Sequence, residues 1–445
     1  MRTKFLLLVI LFFGKIFSQG NSFSLQQALD YAYLHNPNQL NAELDAKSQV
    51  YYKRQIMGIG LPQLNGSVDV KDYVELPTQL LPGQFFGAPP GSFIPVKFGT
   101  KYNATAGVSV SQLIFSNDYL VGMQAAKELM NLSQKNILRT KTETASSVAK
   151  AYYSALINKE RIKLLDANVA RLKKILDDTR ALNKAGFVEK IDVDRLEVTY
   201  NNLVTEKEKV TKLIGLSETV LKFQMGFKIS DAIIITDSLN TADQAPLSIA
   251  AASQSINFAQ RPEYSLLETQ QKLNVLNYKR FRQAGIPTLV GYGSFSEQAQ
   301  RQKFDFFDAS QKWFPIGIIG ATLSVPIFDG RQTYNRAMQA KMTVLKTKNN
   351  LFNLEQAISM EVSMASISYE NALQSVETQK RNMELAKNIL EVSNKKYTAG
   401  VGSNLEIVTA ETSLKEAETN YFNSLYDLYI AKIDYQKAIG TLVVK

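Results

Sequence analysis

The chain has 445 residues, with 51 Lys and Arg, 41 Asp and Glu, one His, one Trp and no Cys. Without cysteine there is no disulfide framework, no thiolate zinc site and no cysteine nucleophile. The single histidine, His35, is too few for a multi-histidine metal site and argues against a Ser-His-Asp triad. Composition therefore excludes most catalytic plans, and we predict neither a metal nor a cofactor.

Residues 1–20 have the pattern of a secretory signal peptide, with Arg2 and Lys4 ahead of an apolar run and small residues near position 20. The run is about nine residues, whereas a membrane-spanning helix needs about 20. Loss of this segment, which also carries Lys15, removes three cations and lowers the net charge from +10 to +7. We therefore predict an exported protein with a solvated, mildly basic surface and no nucleic-acid partner.

Proline placement predicts the helices. None of the 12 prolines lies between 96 and 245 or after 326, and proline breaks helix interiors. Apolar residues recur at spacings of three and four in both tracts, and each tract is interrupted once by a glycine turn, at Gly186 and Gly400. A helix of some 65 residues is about 100 Å long and has to pack against other long helices. The predicted helices span about 119–184, 189–226, 331–397 and 403–439.

The chain repeats itself once. Gly186 and Gly400 differ by 214 positions, whereas Pro62 and Pro287 differ by 225. Agreement of several such offsets indicates one duplication, with about 11 extra residues in the first half. The predicted domains are a first repeat at 21–228, a connecting segment at 229–248 and a second repeat at 249–445.

Four short strands are predicted between the helices. The clearest, at 101–113, alternates apolar and small polar residues, and the weakest, at 287–297, has Val290 and Tyr292 on its polar face. Such strands fit a small soluble sheet or a transmembrane β-barrel, and the export signal and the duplication favour the barrel. Four strands cannot close in lipid, so we predict that three copies supply twelve. The predicted strands span about 63–74, 101–113, 287–297 and 316–327.

This order of elements resembles the TolC-type outer-membrane efflux proteins. The resemblance covers essentially the whole mature chain, and the segments that carry it are SLQQALDYAYLHNPNQL at 24–40, GLPQLNGSVDV at 60–70, VSQLIFS at 110–116, SVPIFDG at 324–330, AGFVEKIDVDRLEVTYNN at 185–202 and YTAGVGSNLEIVTAETSLKEAETNY at 397–421. It implies a mainly α fold with short strands, and a homotrimer whose twelve-stranded outer-membrane β-barrel is continuous with an α-helical periplasmic tunnel.

The function that the resemblance implies is a passive exit duct for drugs, other small toxic compounds or proteins. Its implied partners are outer-membrane lipid, a periplasmic membrane-fusion adaptor protein and an inner-membrane pump, driven by protons or by ATP. No phosphate-binding glycine loop is present in the sequence, so the energy has to come from such a partner.

Candidate gate residues lie beside the two glycine turns. Asp192 and Glu406 each follow a turn glycine by six positions. The resemblance places Glu406 in a narrow ring across the tunnel axis and gives Tyr397 a hydrogen bond to the acid at position 192. Two departures, Thr409 in place of a second acid and Gly402 in place of an arginine, predict a less acidic constriction and an incomplete latch. Without the resemblance, Asp192 and Glu406 are ordinary acidic residues in the first turn of a helix, where the helix dipole favours negative charge.

Other interpretations stay open. An exported trimeric coiled-coil structural or surface-adhesion protein would share the long helices. A hydrolase would need carboxylates such as Asp192 and Glu406, which lie in separate halves without a pocket signature.

Three further predictions concern other segments. The stretch from Leu76 to Gly99 is either an extended external loop or a cover for the barrel mouth. His35 is predicted to be a hydrogen-bonded structural residue. An interfacial girdle or an ordinary loop cluster is predicted for Phe304, Phe306, Phe307, Trp313 and Phe314.

Overall fold

The computed structural model describes residues 21–239 and 256–443. The predicted signal peptide and the end of the predicted connecting segment, from residue 240, lie outside the described residues. The α-helices are α1 Leu25–His35, α2 Pro37–Ile59, α3 Asn117–Lys184, α4 Lys190–Met225, α5 Pro262–Arg282, α6 Gln332–Thr398 and α7 Asn404–Ala438. The strands are β1 Ser22–Phe23, β2 Gln63–Asp72, β3 Thr78–Pro82, β4 Phe93–Lys97, β5 Tyr102–Phe115, β6 Ile234–Ile235, β7 Thr288–Arg301 and β8 Phe314–Ser324.

The fold is mainly α with short strands, which confirms the predicted fold class. The long helices α3 and α6 contain 68 and 67 residues and no proline. Each ends at a glycine with positive φ, +82° at Gly186 and +78° at Gly400, a conformation that glycine adopts without steric cost. Within residues 21–239 and 256–443, no helix combines the length and the apolar content needed to cross a membrane.

One compact unit, the helical unit, comprises the described residues of Met1–Ala46, Ser133–Glu268 and Asn349–Lys445. Its core contains four tyrosines that are almost fully buried, and Tyr152 donates a hydrogen bond to the Phe23 carbonyl at 3.0 Å. Strand β1 pairs in parallel with β6. The predicted connecting segment therefore contributes a strand, which the sequence analysis did not identify. The four buried tyrosines are Tyr152, Tyr369, Tyr429 and Tyr435.

The second unit, the sheet unit, comprises Lys47–Leu132 and Thr269–Lys348. Its antiparallel sheet has the order β2-β5-β7-β8. Strand β7 continues to Arg301, beyond its predicted end at 297, because its last residues stay paired with β5 as far as Tyr102. Strand β8 begins two residues before its predicted start and ends at Ser324, short of its predicted end at 327. Pro326 has no backbone N–H for a sheet ladder, which accounts for the earlier end.

The Pro/Gly-rich stretch from Leu76 to Gly99 contains an unpredicted hairpin. Strands β3 and β4 pair antiparallel from Thr78 opposite Lys97 to Pro82 opposite Phe93. A short 3₁₀ turn at Gly83–Phe86 lies between the two strands. The stretch is therefore an ordered hairpin with its own two-stranded sheet, and a covering role at a barrel mouth remains a prediction.

Candidate gate and membrane-facing sheet

The two glycine turns have the same backbone construction. The N–H of Phe187 donates to the Leu182 carbonyl at 2.9 Å, and the N–H of Val401 donates to the Lys396 carbonyl at 3.0 Å. These bonds span the glycine and satisfy carbonyls that the end of a helix leaves free. Each turn therefore reverses the chain within a few residues and places the start of the next helix beside the end of the last.

The second turn explains one departure from the resembled family. A Cβ atom on Gly402 would lie 2.9 Å from the Lys396 Cβ and 2.9 Å from the Tyr397 backbone nitrogen. Contacts that short require the turn to shift, so this turn has no room for an arginine at position 402 in its present shape. Ser403 caps α7 by accepting a hydrogen bond from the Glu406 N–H at 3.2 Å, which fixes where the following helix starts.

Tyr397 bonds to the first half of the chain through a different residue from the one predicted. Its hydroxyl lies 3.3 Å from Thr179 Oγ1, and Thr179 in turn donates to the Ile175 carbonyl at 2.8 Å. Because the threonine proton is used in that second bond, Tyr397 is the donor to Thr179. The hydroxyl thus ties the end of α6 to α3 through Thr179, in place of the predicted bond to Asp192.

Asp192 connects the two halves through its backbone. The side-chain amide of Asn404 donates to the Asp192 carbonyl at 2.7 Å, and Asn404 is buried. The Asp192 carboxylate lies 3.9 Å from the Arg195 guanidinium on its own helix. Next to Asn404, Ile407 is fully buried in a cluster with side chains of α3 and α4. Two hydrogen bonds therefore hold the turns of the two halves together, one from the Asn404 side-chain amide and one from the Tyr397 hydroxyl. The burial of Ile407 adds an apolar contact.

Glu406 has the exposed position that a pore-lining acid requires. Its side chain is 47% exposed, and its carboxylate lies 3.7 Å from the Lys396 ammonium. Thr409, one turn further along α7, supplies no charge. Two bases, Lys395 and Lys396, end α6 beside this one acid, and the weakly acidic constriction stays a prediction.

A group of buried polar side chains lies deeper between α3 and α7. Arg171 donates two hydrogen bonds of 3.1 Å to the carboxylate of Glu411, which is 5% exposed. Asn168 donates a 2.6 Å hydrogen bond to Glu418, which is 7% exposed. Burial raises the pKa of Glu418 to about 7. No local sequence pattern predicts these contacts, because the partners are 240 and 250 residues apart.

The four-stranded sheet has one apolar face. Residues paired directly across strands point to the same side, so the register defines each face. Val68, Val108, Phe295 and Ile319 share a face and are 52–95% exposed. An exposed apolar face of this kind marks a contact with lipid or protein. On the opposite face, β2, β5 and β7 carry mainly small polar residues, whereas β8 carries the apolar residues Ile316 and Ile318. The polar residues are Asn65, Ser67, Thr105, Ser109, Ser294, Ser296 and Gln298.

The aromatic loop after β7 folds back onto the apolar face. Phe306 is 7% exposed and packs against Ala104 and Ala299, with Trp313 beside it. Arg301, also buried, donates hydrogen bonds to the side chain and backbone of this same loop. The loop is therefore ordered around a small core at the Arg301 end of β7. Its strongly exposed aromatic side chains are Phe304 and Phe307, and Phe314 at the start of β8 is exposed as well.

Two further predictions concern His35 and metal binding. His35 bonds through Nδ1 to the Tyr31 carbonyl at 2.9 Å and stacks on the Tyr31 ring, which confirms its structural interpretation. Among the described residues, no cluster of three or more His, Cys, Asp or Glu side chains is arranged to bind a metal ion.

Comparison with known proteins agrees with this geometry. Residues 246–441 match the family model described as outer membrane efflux protein. The chain is 20% identical over 340 residues to the outer membrane protein TolC of Vibrio cholerae, covering 76% of this chain and 77% of that protein. It is 20% identical over 347 residues to the probable efflux pump outer membrane protein TtgC of Pseudomonas putida, covering 77% and 69%. The crystal structure of the outer membrane protein VceC of Vibrio cholerae matches with a TM-score of 0.72 and 14% identity, covering 94% of this chain and 96% of VceC.

The long helical hairpins and the two-faced sheet define an outer-membrane channel of the efflux type. The chain is related to the outer membrane efflux protein family, whose model it matches over residues 246–441, and to the TolC proteins. Members of this family are transport ducts and not enzymes, so the hydrolase interpretation of Asp192 and Glu406 is set aside.

Proposed function

We propose that three copies of this chain form the exit duct of a tripartite efflux system, with a twelve-stranded barrel in the outer membrane and a helical tunnel in the periplasm. The observation that carries the proposal is the sheet, which has one apolar face and two unpaired edges. Strands β2 and β8 are those edges, and an open edge in lipid leaves backbone groups without partners. Pairing β8 of one copy with β2 of the next satisfies both edges, and three copies close the circle.

Exposed apolar stripes on the helices support the same assembly. On α6, Met360, Met364 and Ile367 are 56–61% exposed at spacings of four and three. On α4, Leu216 and Phe223 are 60% and 68% exposed at a spacing of seven. Apolar side chains at helical spacing are usually buried where one helix packs against another. Neighbouring copies in a tunnel are therefore the proposed partners of these faces.

The proposed partners and cargo are supported by one relative of the chain and by the lack of a phosphate-binding loop in its sequence. The Pseudomonas putida relative is named as part of an efflux pump, and the sequence has no phosphate-binding loop of its own. We infer that a periplasmic membrane-fusion adaptor opens the duct and that an inner-membrane pump, driven by protons or ATP, supplies the energy. Drugs, other small toxic compounds or proteins are the proposed cargo, with selection made by the pump.

The proposed gate comprises Glu406, Asp192 and Tyr397 beside the turns at Gly186 and Gly400. Three copies of an exposed Glu406 around one axis would form a weakly acidic ring, since Lys396 lies beside each carboxylate. Ring charges of this kind select ions in narrow pores. The bonds that join the two turns would keep the constriction closed until an adaptor separates them.

The loop after β7 is the proposed contact with the outer surface of the membrane. Its exposed side chains Phe304 and Phe307 follow the Arg301 end of β7, and aromatic residues favour the lipid–water boundary. Trp313 is packed in the small core beneath them. We propose that these residues form one segment of an aromatic girdle.

The mass of the detergent-extracted particle tests the assembly. Light scattering corrected for bound detergent is expected to give three protomers, and planar bilayers containing that particle are expected to show discrete channel conductance. A monomer would leave the four-stranded sheet open and end the channel proposal. A trimer without conductance would favour the structural or surface-adhesion alternative, which shares the long helices but needs no pore.

A further inference from the structure

The contact between α3 and α7 contains more buried acid than base. Glu411 and Glu418 lie two helical turns apart on α7, and both are more than nine-tenths buried. Arg171 on α3 binds Glu411 with two hydrogen bonds and so matches its charge. Glu418 receives a hydrogen bond from a neutral amide, that of Asn168. Within residues 21–239 and 256–443, no cation is bonded to its carboxylate.

The charges around Glu418 set how readily it ionises. Burial is the largest effect and raises the pKa of Glu418. The Asn168 hydrogen bond and the charges of Arg171 and of Lys387 on α6 lower it, the charge of Glu411 raises it, and the resulting pKa is about 7. A carboxyl group buried among apolar helices is more stable neutral than charged. Ionisation thus places a second negative charge beside Glu411, with Arg171 already committed to the first.

We propose that Glu418 is a proton-binding switch in the contact between α3 and α7, which tightens when Glu418 binds a proton and loosens when the proton leaves. The carboxylate takes up one proton to become a carboxylic acid, and no other bond is made or broken. The inference rests on the proposed duct for its physiological meaning, because α3 and α7 belong to the two different hairpins. Proton release would ease the separation of the hairpins, and proton binding would resist it.

Distances between spin labels on α3 and α7 test the proposal. The chain has no cysteine, so Ala170→Cys and Asn420→Cys, both exposed, provide two specific attachment sites. The full chain in detergent, diluted with unlabelled chain, is measured at about pH 6 and about pH 8, on either side of the neutral range. We expect a narrow, short distance distribution at the lower pH and a broader, longer one at the higher pH.

Two charge variants separate Glu418 from general pH effects. Glu418→Gln mimics the protonated acid, and we expect it to keep the narrow distribution at both pH values. Glu416→Gln removes the same charge from an exposed position on the same helix and is expected to behave as the wild type. If the distances in the wild type do not depend on pH, or if Glu418→Gln still responds, the switch is wrong.

A third variant and a direct readout cover the case in which Glu418→Gln folds poorly. Asn168→Ala removes a donor that favours the carboxylate, so the midpoint of the wild-type change is expected to move up by about one pH unit. Infrared spectroscopy of the wild type should show a carboxylic-acid band that disappears across the same range. An unmoved or lowered midpoint, or no such band, would overturn the assignment.

The outcome is separable from that of the proposed function. A conducting trimer whose α3–α7 distances ignore pH removes the switch alone. A chain that titrates as described but forms no pore removes the duct and leaves the proton site.

Discussion

Glu197 and Glu411 occupy corresponding positions of the predicted repeat, 214 residues apart, yet they bind different partners. Glu197 pairs with Arg180 inside the first hairpin at 3.0 Å, and both side chains are nearly half exposed. Glu411 is buried and accepts two hydrogen bonds from Arg171, on a helix of the other half. The same position thus carries a surface ion pair in one half and a buried connection between halves in the other.

The difference teaches how a duplicated hairpin became specialised. A solvent-exposed ion pair contributes about 0.2–1 kcal/mol, because water screens it. Breaking a buried pair by removing one partner costs about 3–5 kcal/mol, because the remaining charge is left without compensation. The first hairpin can therefore tolerate the loss of its acid–base pair, whereas the contact between the halves depends on the second.

The largest expected effect is that of removing Arg171. Arg171→Ala leaves Glu411 buried and unpaired, and we expect the free energy of unfolding to fall by about 3–5 kcal/mol. The matched variant Arg180→Ala, at the exposed pair, should cost about 0.2–1 kcal/mol. Denaturant unfolding of the detergent-solubilised protein measures both. Equal losses for the two arginines would show that burial does not distinguish the two pairs.

Glu418→Gln is expected to change how stability depends on pH. The folded state raises the pKa of Glu418 from 4.5 to about 7, so it binds the proton more tightly than the unfolded chain does. Stability is therefore lost as the pH rises through this window, by on the order of 3 kcal/mol. Glu418→Gln should remove that loss and unfold at a higher temperature than wild type at about pH 8. With Glu416→Gln as the control, a wild-type pH profile in Glu418→Gln would contradict the expectation.

Tyr397→Phe removes the hydroxyl bond to Thr179 and leaves the ring in place. One neutral hydrogen bond contributes about 1 kcal/mol, so we expect the closed state to lose about that amount in each copy. The opening equilibrium of each copy should shift about fivefold towards the open state, and the open probability of a mostly closed channel should rise by at least that factor. Single-channel recording in planar bilayers measures this probability. Tyr426→Phe, at a partly exposed position of α7, serves as the control and should leave gating unchanged. Equal gating by wild type and Tyr397→Phe would remove Tyr397 from the proposed gate.

The smallest effect is expected at Glu406. Glu406→Gln removes one carboxylate per copy from the proposed ring, where Lys396 already offsets part of the charge. We expect cation over anion permeability to fall by about twofold, measured as the reversal potential in asymmetric salt. Asp192→Asn should change it less, because the Asp192 side chain is only 25% exposed and lies beside Arg195. A larger shift for Asp192→Asn than for Glu406→Gln would reverse the proposed roles.

Much of the fold could be predicted because its signals are local. The absence of proline predicts the long helices, and the glycines at 186 and 400 predict their ends, since both effects act through backbone geometry. The apolar–polar alternation is weakest in strand β7, because Val290 and Tyr292 lie on its polar face. It forms nonetheless because it lies between β5 and β8, and pairing on both edges outweighs an imperfect alternation.

Less of the candidate gate than of the fold could be predicted from the sequence. Glycine spacing identified Asp192, Glu406 and Tyr397 as residues beside the turns, but it gave no indication of Thr179 as the partner of Tyr397. Contacts such as that of Asn168 with Glu418 join residues 250 positions apart. No periodicity or motif within one segment specifies such a pair, so only the packing of α3 against α7 reveals it.

The order of strands in the sheet has a consequence for synthesis. Strands β5 and β7 form the central pair and come from opposite halves of the chain, so this pair cannot form until most of the chain has been made. Pairings between distant segments are slow to form and leave strand edges available to other chains in the meantime. The first pair of strands, with Val68 and Val108 on its apolar face, therefore has to be shielded while it waits. We expect the early strands to be prone to aggregation until the sheet is complete.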